Sequence, residues 1–232
     1  MKIDVLPDSD AVARAAAKLI AAEARAGILA RGRFLLAVSG GRRPWLMLRA
    51  LTEEAVPWPE VHLVQVDERV APAGDPDRNL THIRESLLTR VPLQADHLHA
   101  MPVEAPDLDA AAEGYSRQLQ EVAGSPPILD LVHLGLGQDG HTASLVPGDP
   151  VLDVTDADVA LTRVYQGRRR MSLTYPAINR ARSILWLVTG AEKAGPLVRL
   201  RAADTSIPAG RIRQGQALLL ADREAAAELE KI

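Results

Sequence analysis

The sequence predicts an α/β fold in which a mostly parallel sheet is flanked by helices in a Rossmann-like arrangement. Three observations support this prediction. Short runs rich in Val and Leu alternate with longer amphipathic runs along the whole chain. Several of the short runs carry no polar position, as is typical of strands buried on both faces. Polar, glycine-rich turns follow these runs, at the edge where an open parallel sheet binds its ligands.

The composition fits a soluble globular protein, and we expect residues 1–232 to form one domain. The 232 residues are 47% hydrophobic and 25% charged, with a formal net charge of -3. This weakly acidic balance, with 3% aromatic residues, argues against nucleic-acid binding. The absence of Cys excludes disulfides and fits a reducing, cytoplasmic location. We find neither an apolar stretch that could span a membrane nor a signal peptide.

The N-terminal half of the chain predicts three strands, each followed by a helix. The residues at 8–10 can cap an Ala-rich helix, because their side chains accept hydrogen bonds from its first amides, and Gly32 ends that helix. Asn79 is a candidate cap for a later helix. The strands cover residues 3–6, 34–38 and 61–66, and the helices cover residues 11–30, 45–52 and 80–88.

The C-terminal half continues the alternation. Its apolar runs predict strands that begin at residue 129 and cover residues 160–165, 184–188 and 217–220. Helical periodicity covers residues 107–122, and Asp222 can cap a terminal helix. The charged residues 75–78 are interpreted as a solvated loop.

Residues 129–148 are the most informative stretch of the chain. A buried strand runs into three glycines within six residues, which allow a sharp turn where the strand ends. The turn carries Asp139 and His141, and we interpret this pair as a candidate active site. A dinucleotide site is an alternative, since residues 135–140 match G-x-G-x-x-G, but Pro147 would soon break the helix that this motif needs. A tight turn whose histidine only satisfies backbone groups is the other alternative.

A second candidate site follows the strand at residues 34–38. Ser39, Gly40 and Gly41 form a turn before a helix, with Pro44 expected at the first helical position. Such a turn presents backbone N–H groups that attract phosphate, and the arginines that follow it add positive charge. A plain strand-to-helix loop is the alternative.

Further charged residues stand near the ends of predicted strands. Asp67 and Arg69 follow the strand at 61–66, at the ligand edge of the sheet. Lys193 falls in the first turn of a helix, where the helix dipole disfavours a cation unless an anion binds there too. Arg170 ends a run of three arginines, which either forms a solvated face or binds phosphate through its paired N–H groups.

His97 and His99 permit a metal site as one interpretation, because residues two apart on a strand share a face. A surface strand is the favoured interpretation, since no third ligand is evident and structural zinc sites usually have four. We therefore expect no metal.

Five segments, in this order along the chain, resemble the 6-phosphogluconolactonase family. They are SGGRRP from Ser39, VDERV from Val66, LGLGQDGHTASLVPG from Leu134, RRRMSLTYPAIN from Arg168 and TGAEKAGPL from Thr189. The resemblance covers most of the chain, and the motif around the Asp-Gly-His turn is the most specific. The chain departs from the family at Arg43, where a small hydroxyl residue is common.

The resemblance implies hydrolysis of 6-phospho-D-glucono-1,5-lactone to 6-phosphogluconate in the oxidative pentose phosphate pathway. No step of this reaction requires a metal or an organic cofactor, and no obligatory protein partner is expected. His141 would activate the water, since imidazole titrates near neutrality, with Asp139 and Arg69 beside it in the catalytic site. The expected substrate-binding residues are Ser39, Gly40, Gly41, Arg43, Asp67, Arg170 and Lys193.

Three alternatives stay open at this point. A related deaminase or isomerase would act on an amino sugar phosphate and release ammonia. An NAD-dependent oxidoreductase would use the glycine motif. A non-catalytic sugar-phosphate sensor would bind the product and leave lactone hydrolysis at its spontaneous rate.

Overall fold

Ten strands form two sheets in the protein, which a computed structural model describes over residues 1–229, apart from the side chains of Arg42 and Arg43. The strands are β1 (Lys2–Leu6), β2 (Phe34–Val38), β3 (Val61–Gln65), β4 (Asp67–Arg69), β5 (Leu98–His99), β6 (Leu131–Gly135), β7 (Val159–Leu161), β8 (Arg170–Leu173), β9 (Ser183–Val188) and β10 (Ala217–Asp222). Seven of them form a parallel sheet in the order β1-β10-β9-β6-β2-β3-β5. The predicted fold class is therefore confirmed.

Helices cover both faces of the parallel sheet. They are α1 (Ser9–Arg31), α2 (Arg42–Leu51), α3 (Asn79–Ile83), α4 (Leu108–Ala123), α5 (Tyr175–Asn179), α6 (Ala194–Arg201) and α7 (Arg223–Ala226). Side chains alternate between the two faces along β2: Phe34 and Leu36 pack with α1 and α2, and Leu35 packs with α4. Two apolar clusters are thereby buried, one on each face. None of the helices in residues 1–229 is long and apolar enough to cross a membrane.

The predicted caps of α1 and α7 are confirmed. Asp8 accepts a hydrogen bond from the Ala11 amide at 2.8 Å, and Gly32 ends α1 with a φ of 74°. Asp222 accepts from the Ala225 amide at 2.8 Å at the start of α7. These caps depend only on neighbouring residues, which is why the sequence could predict them.

The position of the candidate site follows from the pairing of β2 with β6. These strands are neighbours in the sheet, yet the chain continues from β2 toward one edge through β3 and β5, and from β6 toward the other through β9 and β10. The segments that follow β2 and β6 consequently diverge and leave a crevice outside the carboxyl ends of the strands. Ligands of open α/β sheets bind in such a crevice.

A second sheet, which the sequence did not predict, lies beside this crevice. It is antiparallel, with the order β4-β8-β7, and β4 begins two residues after β3 ends. Its register places Arg69 opposite Arg170 and Asp67 opposite Ser172. Residues about a hundred positions apart are brought together, which no local pattern encodes. The predicted strand 160–165 is corrected accordingly, because β7 ends at Leu161.

Two predicted helix starts are wrong. Helix α2 begins at Arg42, so Pro44 is its third residue and not its first. Asn79 does not cap α3, because its side chain bonds to Asp67 and Arg69 instead. The buried carboxylate of Glu68 replaces it, accepting hydrogen bonds from the Asn79 and Leu80 amides at 2.7 and 2.9 Å. A cap supplied from another element is a tertiary feature.

The loop at residues 75–78 is not merely solvated, as the sequence suggested. Asp75 and Asp77 each form an ion pair with Arg168, at 3.1 and 2.8 Å. Arg78 is buried and lies 3.1 Å from Glu68 and 2.6 Å from Glu104. The loop therefore ties together elements that are distant in sequence.

His97 and His99 belong to a cluster of three imidazoles, so the expectation of a surface strand is wrong for His99. His99 is 3% exposed, and its Nε2 lies 3.0 Å from Nδ1 of His62 on β3. The His97 ring stacks on His62 with the centroids 3.9 Å apart. No group of His, Cys, Asp or Glu in residues 1–229 has the arrangement of a metal site.

We expect the free energy of unfolding to fall as the pH drops from about 6.5 to about 4. Burial lowers the pKa of His62 to about 4, aided by His97, His99 and Arg33 and opposed by Asp96. Burial alone lowers the pKa of His133 on β6 to about 4. In this pH window the unfolded chain binds protons that the folded protein excludes, so stability is fully present above the window and is lost below it.

Urea unfolding of the wild type and His62→Asn at pH 7.5 and 5.5 tests this expectation. The variant should lose less stability than the wild type between the two values. Equal stability of the wild type at both values would contradict the expectation.

Candidate functional site

A cleft of about 640 Å³ opens at the carboxyl ends of β2, β6 and β9. It brings together residues from segments that are far apart in the sequence. The predicted site residues that line it are Ser39, Gly40, Gly41, Asp67, Arg69, Asp139, His141, Arg170 and Lys193. The side chain of Arg43 lies outside the described part of the chain, so its contact with substrate stays a prediction.

Asp139 and His141 form a directly bonded pair in this cleft. Nδ1 of His141 lies 2.6 Å from Oδ1 of Asp139, and the His141 amide donates to the same oxygen at 3.1 Å. An ionised carboxylate can only accept, so Nδ1 carries a proton, and in the neutral imidazole Nε2 then keeps a lone pair. The His141 side chain is 25% exposed. The pair can therefore take a proton from a bound water.

Burial tends to raise the pKa of the Asp139 carboxyl, but its partners outweigh this effect. The charge and hydrogen bonds of His141, with a further hydrogen bond from Tyr165, hold the pKa below its ordinary value. Asp139 is therefore a carboxylate at neutral pH, as an orienting partner of the imidazole must be.

Glycines fold the turn so that this pair can form. The Gly137 amide donates to the His141 carbonyl at 2.8 Å, and Gly140 has a φ of 81°. A Cβ atom on Gly137 would lie 2.1 Å from Nδ1 of His141. No helix opens at Gly140, and the next helical turn is Pro150–Asp153, so the structural context of a dinucleotide motif is missing.

Tyr165 is a cleft residue that the sequence analysis missed. Its hydroxyl donates to Oδ2 of Asp139 at 3.0 Å, and its ring meets the His141 ring edge-on with the centroids 5.7 Å apart. Tyr165 precedes Gln166 and Gly167, which have φ values of 50° and 81° and form the tight turn between β7 and β8. The glycine at 167 was the available signal for this hairpin.

Arg69 and Arg170 face the cleft from adjacent strands of the second sheet. Nη1 of Arg69 donates to Oδ1 of Asn79 at 2.5 Å and to the Asp77 carbonyl at 3.1 Å. Nη2 of Arg170 donates to Oε1 of Gln166 at 3.2 Å, and its buried Nε has no hydrogen-bond partner among the described residues. Burial, together with Arg69, lowers the pKa of Arg170, although Asp67 and other neighbours oppose this.

Asp67 is held on both of its carboxylate oxygens. Ser144 donates to Oδ2 at 2.6 Å, and Nδ2 of Asn79 lies 3.3 Å from Oδ1. Asp67 is 5% exposed and Ser144 is fully buried. These contacts join the turn that carries His141 to β4.

The turn predicted to bind phosphate lines the cleft, but the hydrogen-bond donors of Ser39 are bonded to His133. The Ser39 amide donates to Nδ1 of His133 at 3.3 Å, and its hydroxyl donates to the His133 carbonyl at 2.9 Å. A Cβ atom on Gly40 would lie 1.7 Å from Oδ1 of Asn79, so only glycine fits there. Both donors of Ser39 thus hold β2 against β6.

Lys193 lies just before α6, at the end of the short helical turn Ala191–Lys193. Thr189 and Glu192 line the cleft with it. The Gly190 amide donates to both carboxylate oxygens of Asp222, at 2.9 and 3.0 Å, which anchors this segment.

Comparisons with known proteins agree with this architecture. The family model of glucosamine-6-phosphate isomerases/6-phosphogluconolactonase matches residues 7–220. A 6-phosphogluconolactonase of Nostoc sp. is 35% identical over 98% of this chain and 98% of its own. The solved 6-phosphogluconolactonase of Trypanosoma brucei has a TM-score of 0.86 and 28% identity over 98% of each chain. A monomeric glucosamine-6-phosphate deaminase shares the fold, with a TM-score of 0.87 and 18% identity over 98% of this chain and all of its own.

We expect Gly137→Ala to lower the rate of 6-phosphogluconolactone hydrolysis about a hundredfold, because a reacting group displaced by about 1 Å can cost that much. The added Cβ would lie 2.1 Å from the His141 ring and 2.7 Å from Oδ1 of Asp139. Gly195→Ala is the matched control, because nothing lies within 4 Å of its added Cβ. The rates of both variants and the NMR signal of the His141 Nδ1 proton measure the effect. An unchanged signal and rate in Gly137→Ala would contradict the expectation.

Proposed function

The chain belongs to the glucosamine-6-phosphate isomerase/6-phosphogluconolactonase family, and we propose that it hydrolyses 6-phospho-D-glucono-1,5-lactone to 6-phospho-D-gluconate. This reaction is the second step of the oxidative pentose phosphate pathway. The observation that carries the proposal is the bonded Asp139–His141 pair, in a cleft that also holds Arg69, Arg170 and Lys193. Lactone hydrolysis needs such a base, together with positive groups for the oxyanion and the phosphate.

His141 is the general base in the proposed mechanism. Its Nε2 takes a proton from water as the water oxygen bonds to the lactone carbonyl carbon. The bond from this carbon to the ring oxygen then breaks, and the imidazolium returns the proton to that oxygen. Asp139 accepts from Nδ1 throughout, which keeps Nε2 directed at the proton and stabilises the imidazolium.

Arg69 stabilises the oxyanion that forms on the carbonyl oxygen, since its guanidinium offers several fixed donors. Arg170, Lys193 and the Gly40 and Gly41 amides bind the phosphate. Asp67 accepts hydrogen bonds from sugar hydroxyls. Because the donors of Ser39 are bonded to His133, its contribution is to hold the phosphate turn.

Acid release from freshly prepared lactone, measured above the spontaneous rate, tests the proposal. His141→Asn should lower kcat by about a hundredfold to ten-thousandfold, the usual range for a general base. Ammonia release from glucosamine-6-phosphate would favour the deaminase. Product binding without any acceleration of hydrolysis would favour a sensor.

We expect Lys193→Ala to weaken binding of 6-phosphogluconate and to raise KM by about tenfold to a hundredfold, since a charge-assisted contact is worth about 1.5–3 kcal/mol. Unphosphorylated gluconolactone should be affected far less, because it lacks the anchored group. Lys2→Ala is the matched control, since its side chain is 74% exposed on β1. Equal losses of kcat/KM on the two lactones would show that Lys193 does not bind the phosphate.

A further inference from the structure

We propose that Tyr165 is a positioning residue that fixes the Asp139 carboxylate and, through it, the orientation of the His141 imidazole. The inference rests on the proposed role of His141 as the base. Tyr165 lies at the tip of the β7–β8 hairpin. The support consists of three contacts of its side chain and of the hydrogen bonds that fix the hairpin.

The first support is the division of the Asp139 oxygens between two partners. Oδ1 accepts from His141 at 2.6 Å, and Oδ2 accepts from the Tyr165 hydroxyl at 3.0 Å. A carboxylate held on one oxygen can rotate about its side-chain bonds, whereas one held on both has a single orientation. The tyrosine contact therefore stops the carboxylate from leaving the imidazole.

The second support is the placement of the Tyr165 ring between the base and a cation. The ring meets His141 edge-on at 5.7 Å, and the guanidinium carbon of Arg170 lies 4.9 Å from the ring centroid. Both arrangements are attractive for an aromatic ring. The ring thus limits movement of the His141 ring that it contacts, and is itself held by Arg170.

The third support is the set of hydrogen bonds that fix the β7–β8 hairpin, all of which are made between protein groups. The Tyr165 amide donates to the Arg168 carbonyl at 2.9 Å, which closes the turn. The Arg168 side chain donates to Asp77 and Asp75 at 2.8 and 3.1 Å. Tyr165 is therefore anchored to the loop before α3, and protein contacts alone fix the position of its hydroxyl.

The other two tyrosines of the chain bond differently. The hydroxyls of Tyr115 and Tyr175 donate to the backbone carbonyls of His99 and Pro208, both outside the catalytic pair. Of these three tyrosines, only Tyr165 donates its hydroxyl to a carboxylate. Tyr175→Phe is consequently a matched control, because it removes a hydroxyl of the same kind from outside the cleft.

A double-mutant cycle tests the proposal by kinetics. Tyr165→Phe removes only the hydroxyl, and we expect kcat to fall roughly tenfold, in the range for a hydrogen bond to a charged group, with KM changed less than twofold. If the tyrosine acts through Asp139, Tyr165→Phe/Asp139→Asn should be no slower than Asp139→Asn alone. Multiplied losses in the double variant, or an unchanged kcat in Tyr165→Phe, would overturn the proposal.

Nitrogen-15 NMR of the His141 ring gives an answer that does not depend on the substrate. In the wild type the shifts should report a proton on Nδ1 and a lone pair on Nε2, and in Tyr165→Phe a mixture of the two tautomers. Tyr175→Phe should match the wild type. Unchanged His141 shifts in Tyr165→Phe overturn the positioning role even if the enzyme hydrolyses the lactone. Absence of lactone hydrolysis by the wild type overturns the proposed function instead.

Discussion

The pairing of β2 with β6 is the constraint on which the rest of the site depends. It places the turn after Val38 beside the turn after Gly135, and the chain leaves the two strands toward opposite edges of the sheet. One turn is suited to bind an anion and the other carries a base. Neither turn makes a site alone, so in the proposed mechanism the spacing of two neighbouring strands would set the distance between the phosphate turn and the base.

Buried polar contacts hold this junction together. Ser39 is bonded to His133 across the two strands, and Ser144, which follows the turn that carries His141, is bonded to Asp67 on β4. The Glu68 carboxylate accepts hydrogen bonds from the first two amides of α3 and forms an ion pair with Arg78. An unpaired buried polar group costs about 1–3 kcal/mol, so each contact strongly disfavours arrangements in which its partners separate. The shape of the cleft is therefore fixed by contacts within the protein itself.

The second sheet gives the cleft its outer wall and its positive charge. The antiparallel register of β4 and β8 sets Arg69 against Arg170, two cations that would repel one another without an anion between them. Nearby acids and Tyr165 offset part of this repulsion. In the proposed function, a bound phosphate or oxyanion would relieve it further, so the wall would favour negatively charged ligands.

The sequence by itself determined the parallel sheet, most strand bounds, the caps of α1 and α7, and the turn that carries Asp139 and His141. Each of these follows from apolar periodicity or from residues within a few positions of one another. It missed the second sheet, the Glu68 cap of α3, His62 beside His99, and Tyr165 above Asp139. Each of these features joins residues that are distant in the sequence. Glu68 and Asn79 are 11 positions apart, and His62 and His99 are 37 positions apart. The separation between β4 and β8 is larger still. Only the tertiary structure decided them, because such contacts arise from strand pairing and burial, which leave no periodic signal in the chain.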